Sequence, residues 1–387
     1  MEISVEKLGE LQPEDCVICD IRGEHDRAYG FIPGSVGISA EELLTSPPGD
    51  GKKLIIYCAR GVVSVDLADE LCDRGLEAYS LEGGYIAWLR AEMRRRNDEE
   101  LRERVEQSIR KKFRVSLMSK FIKALKTYQL VNEGDRVAVC ISGGKDSMLM
   151  AKLFQELKRY SEVNFEVKYL VMDPGYNADN RRIIEDNARA LGIPVTIFET
   201  DIFESVYNVE KSPCYLCARM RRGYLYRFAQ ELGCNKIALG HHYDDVIETI
   251  LMGMLHGAQI QSMMPKLHST NFPGMELIRP LYLIREDDIK AWRDYNGLHF
   301  IQCACKFTDT CTTCNDGQNH SKRQETKELI RELKKSNPDV EKCIFKSVEN
   351  VNLDTLIAYK QHGVRHHFLD SYDKDEKNKK LSPQTGR

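Results

Sequence analysis

The sequence predicts an α/β protein with two parallel-sheet domains. Short apolar runs alternate with helical patterns between residues 16 and 89, and again between residues 115 and 369. Such alternation is typical of parallel sheets whose strands are joined by helices. From residue 90 to about 114 the composition changes to Arg, Lys, Glu and Asp without Pro or Gly, which predicts a charged helical connector.

The composition narrows the class of protein. The chain has 387 residues, 42% hydrophobic and 30% charged, which suffices for ordinary cores in two or three domains. With a net charge of -3, any site for a polyanion must be a local patch. No apolar stretch reaches the roughly 20 residues of a membrane span, and the first residues do not resemble a signal peptide, so we expect a cytoplasmic protein without a membrane partner. Thirteen cysteines, an odd number, favour reduced thiols that serve metal or sulfur chemistry.

The elements follow in order along the chain. In the first domain we predict strands at 17–20 and 54–57, a loop at 47–51 and a helix at 62–74. In the second domain we predict strands at 136–141, 165–172, 195–198 and 236–239. The predicted boundaries are 1–92 for the first domain, 93–114 for the connector, 115–369 for the second domain and 370–387 for a disordered tail.

A cysteine is the chemical candidate in the first domain. Cys58 comes directly after a predicted buried strand and before a helix, where backbone N–H groups stabilise an anion. Such a loop lowers a thiol pKa and can hold a persulfide. Gly61 allows the tight loop, and Ser64 is expected to cap the helix. The alternative is a buried cysteine that serves packing alone.

A glycine-rich loop is the most specific feature of the second domain. An apolar strand ends at Ile141, and an amphipathic helix follows from Met148. The glycines let backbone N–H groups approach phosphate oxygens, and the helix N-terminus adds its positive end. The residues that we expect to hold the phosphates are Ser142, Gly143, Gly144, Lys145, Asp146 and Ser147.

Two acidic residues open a later helix. Asp244 and Asp245 follow Gly240, which directly follows the strand predicted at 236–239. Their carboxylates are suited to position Mg²⁺ on phosphates or to move protons. They are also favourable partners of the helix dipole, which is the alternative interpretation.

Two groups of cysteines indicate a metal site. Cys214 and Cys217 stand three residues apart at a predicted helix start, so both can bind one metal or cluster. Four more follow at Cys303, Cys305, Cys311 and Cys314, and a zinc site made by these four alone is the rival hypothesis. Local cationic faces suited to nucleic acid are expected at Arg219, Arg221 and Arg222 and at the connector segments 94–96 and 110–114. For the connector, a solvated helix surface is the alternative interpretation.

Residues 5–92 resemble the rhodanese family of sulfurtransferases. The resemblance is carried by four segments in order: Asp20-Ile-Arg22, Tyr29-Gly-Phe-Ile-Pro-Gly-Ser35, the Cys58 loop and Gly83-Gly84-Tyr-Ile-Ala-Trp88. It implies that Cys58 carries a persulfide. Phe31 stands where the family usually has His, and Val63 where an Arg often binds thiosulfate. We therefore expect a cysteine desulfurase to be the main sulfur donor and thiosulfate a poorer one.

The Ser-Gly-Gly-Lys-Asp-Ser loop resembles the signature of the ATP pyrophosphatases with a PP-loop. Residues 115–360 as a whole resemble the tRNA 2-thiocytidine synthetase family, through residues 134–147, 214–223 and 236–242 and through Met264-Pro-Lys266. The resemblance implies ATP on the loop, with Met172 at the adenine, Gly240 at the nucleotide, and Mg²⁺ and acid–base roles for Asp146 and Asp245. It also implies a [4Fe-4S] cluster on three cysteines. Cys214, Cys217 and Cys305 are our choice, with Cys303 and Cys314 as rivals for the third ligand.

The combined hypothesis is an ATP-dependent tRNA sulfurtransferase. It would adenylate a base carbonyl, expected to be C2 of cytidine 32 in the anticodon loop, and replace its oxygen by sulfur from Cys58 and the cluster. Transfer would require the two domains to approach each other across the connector. Thiolation of a uridine or a small heterocycle, and an iron–sulfur sensor without catalysis, are the alternatives. A homodimer is compatible with the sequence, which does not fix the oligomeric state.

Overall fold

The computed structural model describes residues 1–12, 14–49, 51–94, 98–203, 213–301 and 322–372. The side chains of residues 94, 213–215, 217 and 218 are outside this description. The predicted cysteine segment 303–314 and residues 373–387 of the predicted tail also lie outside it.

A five-stranded parallel sheet forms near the N-terminus. Its spatial order is β1-β5-β4-β2-β3. The strands are β1 (Glu2–Ile3), β2 (Cys16–Asp20), β3 (Val36–Gly37), β4 (Lys53–Tyr57) and β5 (Ala78–Leu81). Residues 54–57 of β4 are all buried, as expected for an apolar run in the middle of a parallel sheet. The strands predicted at 17–20 and 54–57 agree with β2 and β4.

A six-stranded sheet forms the larger part of the fold. Its order is β10-β11-β9-β6-β7-β8, parallel except where β10 meets β11. The central strand β6 begins and ends where the sequence predicted, and the other three predicted strands agree within one residue. The strands are β6 (Arg136–Ile141), β7 (Glu166–Asp173), β8 (Val195–Glu199), β9 (Lys236–Ala238), β10 (Lys266–His268) and β11 (Glu276–Ile278).

Helices join the strands and cover the sheets. Up to the larger sheet they are α1 (Val5–Glu10), α2 (Glu24–Arg27), α3 (Ala40–Thr45), α4 (Val63–Asp73), α5 (Gly84–Arg94), α6 (Asp98–Arg110) and α7 (Lys120–Thr127), with a π-helical segment at Arg114–Ser119. Beyond it they are α8 (Lys145–Tyr160), α9 (Ala178–Ala190), α10 (Pro213–Glu231), α11 (Tyr243–Gly257), α12 (Glu286–Tyr295), α13 (Lys322–Ser336) and α14 (Val340–Ser347).

One continuous hydrophobic core joins the two sheets through the connector. Tyr85, Trp88 and Leu89 of α5 belong to the same cluster of buried side chains as Val137 and Val139 of β6. The connector helix α6 contributes Leu101, Val105 and Ile109, which are nearly fully buried. The connector helix α6 is therefore a packed amphipathic helix with a charged outer face.

The chain divides into two compact units. One comprises Met1–Val246 and Met264–Ser321 and holds both parallel sheets; the other comprises Ile247–Met263 and Lys322–Arg387. In its described part the second unit contains α13, α14, a short 3₁₀ turn and a hairpin of β12 (Ala358–Gln361) and β13 (Val364–His367). Within the described residues, none of the helices is both long and apolar enough to cross a membrane.

Candidate active site

The glycine-rich loop connects β6 to α8 at the carboxyl edge of the larger sheet. The Ser147 hydroxyl ties the loop together, because it donates to the Gly144 carbonyl (3.0 Å) and accepts from the Ser142 N–H (3.2 Å). Gly143 has a φ of +86°, and a Cβ there would lie 2.6 Å from Ile184. Since both the conformation and the space exclude a larger residue, glycine is required at this turn.

Lys145 is a buried cation in the first turn of α8. Its Nζ lies 3.2 Å from Asp146 Oδ2 and 3.2 Å from Glu286 Oε1, and the residue is 2% exposed. Burial alone would lower the pKa of Lys145, but the two carboxylates raise it above its usual value. Lys145 therefore keeps its charge at the end of the helix where phosphate oxygens are expected.

Among the described residues, one oxygen of Asp146 has no hydrogen-bond partner. Its Oδ2 pairs with Lys145, whereas Oδ1 is buried and accepts no hydrogen bond within the described residues. His242 Nε2 lies 3.9 Å from Oδ1, beyond hydrogen-bond distance. An uncommitted carboxylate oxygen beside a phosphate loop fits a site where Mg²⁺ binds through one carboxylate and the phosphates of a substrate. No group of three or more potential metal ligands occurs among the described residues. A cation at Asp146 would therefore need the phosphates of the substrate as further ligands.

Gly240 packs directly against the loop. A Cβ at this position would lie 3.2 Å from the Ser147 nitrogen and 3.3 Å from the Asp146 carbonyl carbon. The predicted nucleotide residues around 145 and 240 therefore meet, because the carboxyl ends of β6 and the adjacent β9 lie at one edge.

The two acids after Gly240 have different surroundings. Asp244 binds the Arg285 guanidinium (2.9 Å) and accepts from the Glu286 N–H (2.7 Å). Asp245 Oδ2 accepts from the backbone N–H of His242 (3.0 Å), which is the geometry of a helix cap. These contacts support the alternative reading of Asp244 as a structural residue, while the catalytic role of Asp245 stays a prediction.

Met172 is placed in the core. Its side chain is 2% exposed and packs with Leu170 and Ile202 on one face of β7. The next residue, Asp173, ends the strand and accepts from the N–H groups of Gly175 (2.8 Å) and Tyr176 (2.6 Å), which fixes the turn beyond it. The adenine contact that the sequence predicted at Met172 stays a prediction.

Cys58 lies in a ring of hydrogen-bond donors after β4. Its Sγ accepts from the Gly61 N–H (3.1 Å) and from the Ser64 hydroxyl (3.4 Å). Burial alone would raise the pKa of the thiol, but these donors, with the Ser64 and Arg60 N–H groups, lower it below its usual value. The arrangement stabilises a thiolate or a persulfide anion.

The expectation that Ser64 caps α4 is wrong. The helix begins at Val63, and its N-cap residue, Val62, makes no side-chain capping bond. The Ser64 side chain is fully buried and bonds Cys58 and Ser80 instead. A serine in the first turn can either cap the helix or bond a neighbouring side chain. Here the Ser64 hydroxyl donates to the Cys58 sulfur.

The neighbours of the cysteines that we predict to bind a cluster lie in the first unit of the fold. Cys214 and Cys217 belong to the first two turns of α10, and Leu216 between them packs into the cluster that contains Leu170 and Met172. The cysteine segment follows Ile301, whose Cδ1 would lie 2.9 Å from a Cβ at Gly143. Ile301, the last described residue before the cysteine segment, thus lies beside the glycine-rich loop, and Leu216 packs on β7.

The predicted cationic faces differ in their exposure. Arg219 and Arg222 are exposed on α10, and Arg221 donates to the Tyr176 hydroxyl (3.4 Å). On the connector, Arg110 forms ion pairs with Glu156 (2.5 Å) and Glu106 (3.1 Å), so its charge is compensated by neighbouring carboxylates. The side chains of residues 94–96 lie outside the described part of the chain.

Three contributors to the site were missed from the sequence. Glu286 binds Lys145, Arg285 binds Asp244, and the Tyr29 ring centre lies 5.0 Å from Lys145 Nζ. Glu286 opens α12 beside an arginine in a polar stretch, a pattern common on helix surfaces, so no local signal marks it.

Comparisons with known proteins agree with this architecture. A PP-loop domain model matches residues 114–308, and a rhodanese-like domain model matches residues 4–91. Fold and site thus define a PP-loop α/β protein with a rhodanese-like domain, as the sequence predicted.

Relatives of this chain carry a more specific name. The tRNA-cytidine(32) 2-sulfurtransferase of Geotalea uraniireducens is 36% identical over 245 residues, which are 61% of this chain and 93% of that protein. Its counterpart in Anaeromyxobacter dehalogenans is 32% identical over 268 residues, 68% of this chain and 83% of that protein. The chain belongs to the PP-loop family that contains these sulfurtransferases. Among solved structures, the U34-tRNA thiolase NcsA from Methanococcus maripaludis, with its [4Fe-4S] cluster, matches with a TM-score of 0.47 and 23% identity over 66% of this chain and 87% of that chain.

Proposed function

We propose that this protein is an ATP-dependent tRNA sulfurtransferase that replaces the 2-oxygen of cytidine 32 by sulfur. The names of the relatives support the substrate. The observation that carries the proposal is found in the first turn of α8, where a buried, charged Lys145 pairs with Asp146 Oδ2 and the other oxygen, Oδ1, has no hydrogen-bond partner among the described residues. This arrangement is suited to a nucleoside triphosphate with its cation.

The chain's own residues then position the first reaction. Backbone N–H groups of the loop and the Lys145 ammonium bind the phosphates, and Gly240 leaves room for the close packing of the loop. The base oxygen attacks the α-phosphorus of ATP and pyrophosphate leaves, which converts a poor leaving group into AMP. When bound, Mg²⁺ supplies charge neutralisation on the phosphates, with Asp146 Oδ1 as its protein ligand.

Cys58 is the proposed carrier of sulfur. Its donor ring stabilises the anion of a persulfide, which a cysteine desulfurase supplies by transfer of a sulfur atom to the thiolate. In the second reaction, the outer sulfur of the Cys58 persulfide attacks C2 of the base and AMP leaves with the original oxygen. A second thiolate then attacks the Cys58 sulfur, which breaks the S–S bond, leaves one sulfur atom on the base and forms a disulfide that a thiol reductant reduces.

We propose Cys214, Cys217 and Cys305 as the residues that hold a [4Fe-4S] cluster. When bound, the cluster supplies an iron site at which sulfur can be held. The packing of Leu216 on β7 and of Ile301 against the Gly143 turn supports this assignment. The exposed Arg219 and Arg222 on the same helix are suited to contact tRNA phosphates nearby. A homodimer stays a prediction.

The function is tested by thiolation in vitro. Full-length protein is incubated without oxygen with unmodified tRNA, ATP, Mg²⁺, cysteine and a cysteine desulfurase, and the nucleosides are analysed by mass spectrometry. We expect 2-thiocytidine that depends on ATP and is absent when the tRNA carries uridine at position 32. A thiolated uridine in place of 2-thiocytidine would contradict the proposed substrate.

The cluster ligands are tested by a matched pair of substitutions. We expect Cys305→Ser to lose iron, sulfide and visible charge-transfer absorption after anaerobic reconstitution, because three thiolates are needed. Cys311→Ser removes a thiol from the same segment and should keep these signals. The opposite result, with the cluster lost only in Cys311→Ser, would show that the third ligand is wrongly assigned.

A further inference from the structure

A turn of the rhodanese-like domain reaches the phosphate loop. Tyr29 follows α2, and its ring centre lies 5.0 Å from the Nζ of Lys145. The side chain is half-buried, and its ring also contacts His25 of α2, with 5.5 Å between ring centres. A lysine ammonium at this distance from an aromatic ring is attracted by the negative face of the ring.

The turn is held rigidly from the side of the rhodanese-like domain. Asp20 is fully buried and binds Arg22 through two hydrogen bonds of 2.9 and 2.7 Å. Arg22 also donates to the Gly30 carbonyl (2.9 Å), and the Ile32 N–H donates to the Tyr57 hydroxyl (3.1 Å). The Asp-x-Arg segment, which marked the family in the sequence, therefore fixes the position of residues 29–32.

The turn is also held from the side of the PP-loop domain. Arg293 of α12 is 5% exposed and donates to the Ala28 carbonyl at 2.5 Å. The same helix begins with Glu286, which pairs with Lys145. His299 contacts Trp88 edge-on, with ring centres 5.1 Å apart, and lies beside Gly30. One helix thus binds both the turn and the lysine, and it sets the distance between them.

We infer that Tyr29 is a positioning residue of the nucleotide site, so that the rhodanese-like domain completes the site that binds ATP. This inference rests on the proposed nucleotide site at Lys145. The two carboxylates beside Lys145 draw its Nζ toward themselves, whereas the phosphates need it at the end of the helix. The Tyr29 ring stabilises the ammonium on a further side without neutralising it, and so limits the positions that Nζ can take.

Binding of α,β-methylene-ATP with Mg²⁺ to the full-length chain, measured by calorimetry, tests this role. We expect Tyr29→Ala and Tyr29→Leu to weaken binding about 5-fold to 10-fold, the effect of losing a cation–π contact at a buried site. Tyr29→Phe keeps the ring and should retain most of the affinity. In a Lys145→Met background, Tyr29→Ala should add little further loss, since its partner is already absent.

Controls separate this inference from the proposed function. Persulfide formation on Cys58 should be the same in wild type and in Tyr29→Ala, which excludes a misfolded rhodanese-like domain. If Lys145→Met weakens binding and Tyr29→Ala does not, the inference is wrong and the nucleotide site stands. Full affinity in Tyr29→Leu would show that the Tyr29 side chain only fills space beside Lys145, and this result would also overturn the inference. Unchanged binding in Lys145→Met would instead refute the proposed nucleotide site.

Discussion

Replacing Asp146 by alanine is expected to reduce tRNA-dependent pyrophosphate release about 100-fold or more, because metal-assisted charge stabilisation contributes several kcal/mol. The substitution removes the carboxylate oxygen that has no hydrogen-bond partner in the described part of the chain. Lys145 keeps Glu286 as its partner at 3.2 Å, so its buried charge remains compensated. Release of pyrophosphate from radiolabelled ATP is the measurement, with the iron content and the melting temperature checked for integrity.

The matched control for Asp146→Ala is Asp245→Asn. An asparagine oxygen can still accept the His242 N–H, so the cap at the start of α11 survives while the charge is lost. Near-normal turnover in Asp245→Asn would limit this residue to a capping role, and a large loss would support the catalytic role that the sequence predicted. Normal turnover in Asp146→Ala would refute the assignment of the cation to this carboxylate.

The sequence was sufficient for the central buried strands of both sheets and for the residues at their ends, whereas the short strands β1, β3, β5, β10 and β11 were not predicted. The cores of β4 and β6 are continuous apolar runs because parallel strands are buried on both faces, and this pattern is legible without a structure. The glycine-rich loop and Cys58 could be recognised as candidate sites from the sequence, because each directly follows a buried strand of this kind. The positions of the ends of β7, β8 and β9 were correct to within one residue for the same reason.

Contacts between distant segments could not be predicted in this way. Glu286 and Tyr29 both approach Lys145, but they are separated from it by more than 100 residues in the sequence. The connector helix was predicted to be a charged link, because its charges dominate the composition. Its buried face is formed by three apolar residues at helical spacing, Leu101, Val105 and Ile109, which join the core between the sheets.

Replacing Cys58 by serine is expected to abolish tRNA thiolation driven by cysteine and a cysteine desulfurase. A serine hydroxyl cannot accept a sulfur atom to form a persulfide, although it fits the same ring of N–H donors. Thiolation with added inorganic sulfide should persist, because free sulfide does not need a carrier thiol. Formation of 2-thiocytidine by mass spectrometry, with each sulfur source in turn, is the measurement.

A pH profile distinguishes a reactive Cys58 from a thiol that only fills space. Ser64→Ala removes the hydroxyl that donates to Sγ and should raise the thiol pKa toward its usual value. A thiol with a lowered pKa is largely thiolate at lower pH, so the variant should load persulfide several-fold more slowly near pH 7 and approach the wild-type rate as the pH rises above the higher pKa. Cys72→Ser, which changes a thiol of the same domain away from the loop, should leave the profile unchanged.

Equal desulfurase-driven thiolation by wild type and Cys58→Ser would show that the sulfur reaches the base by a path that does not include this thiol.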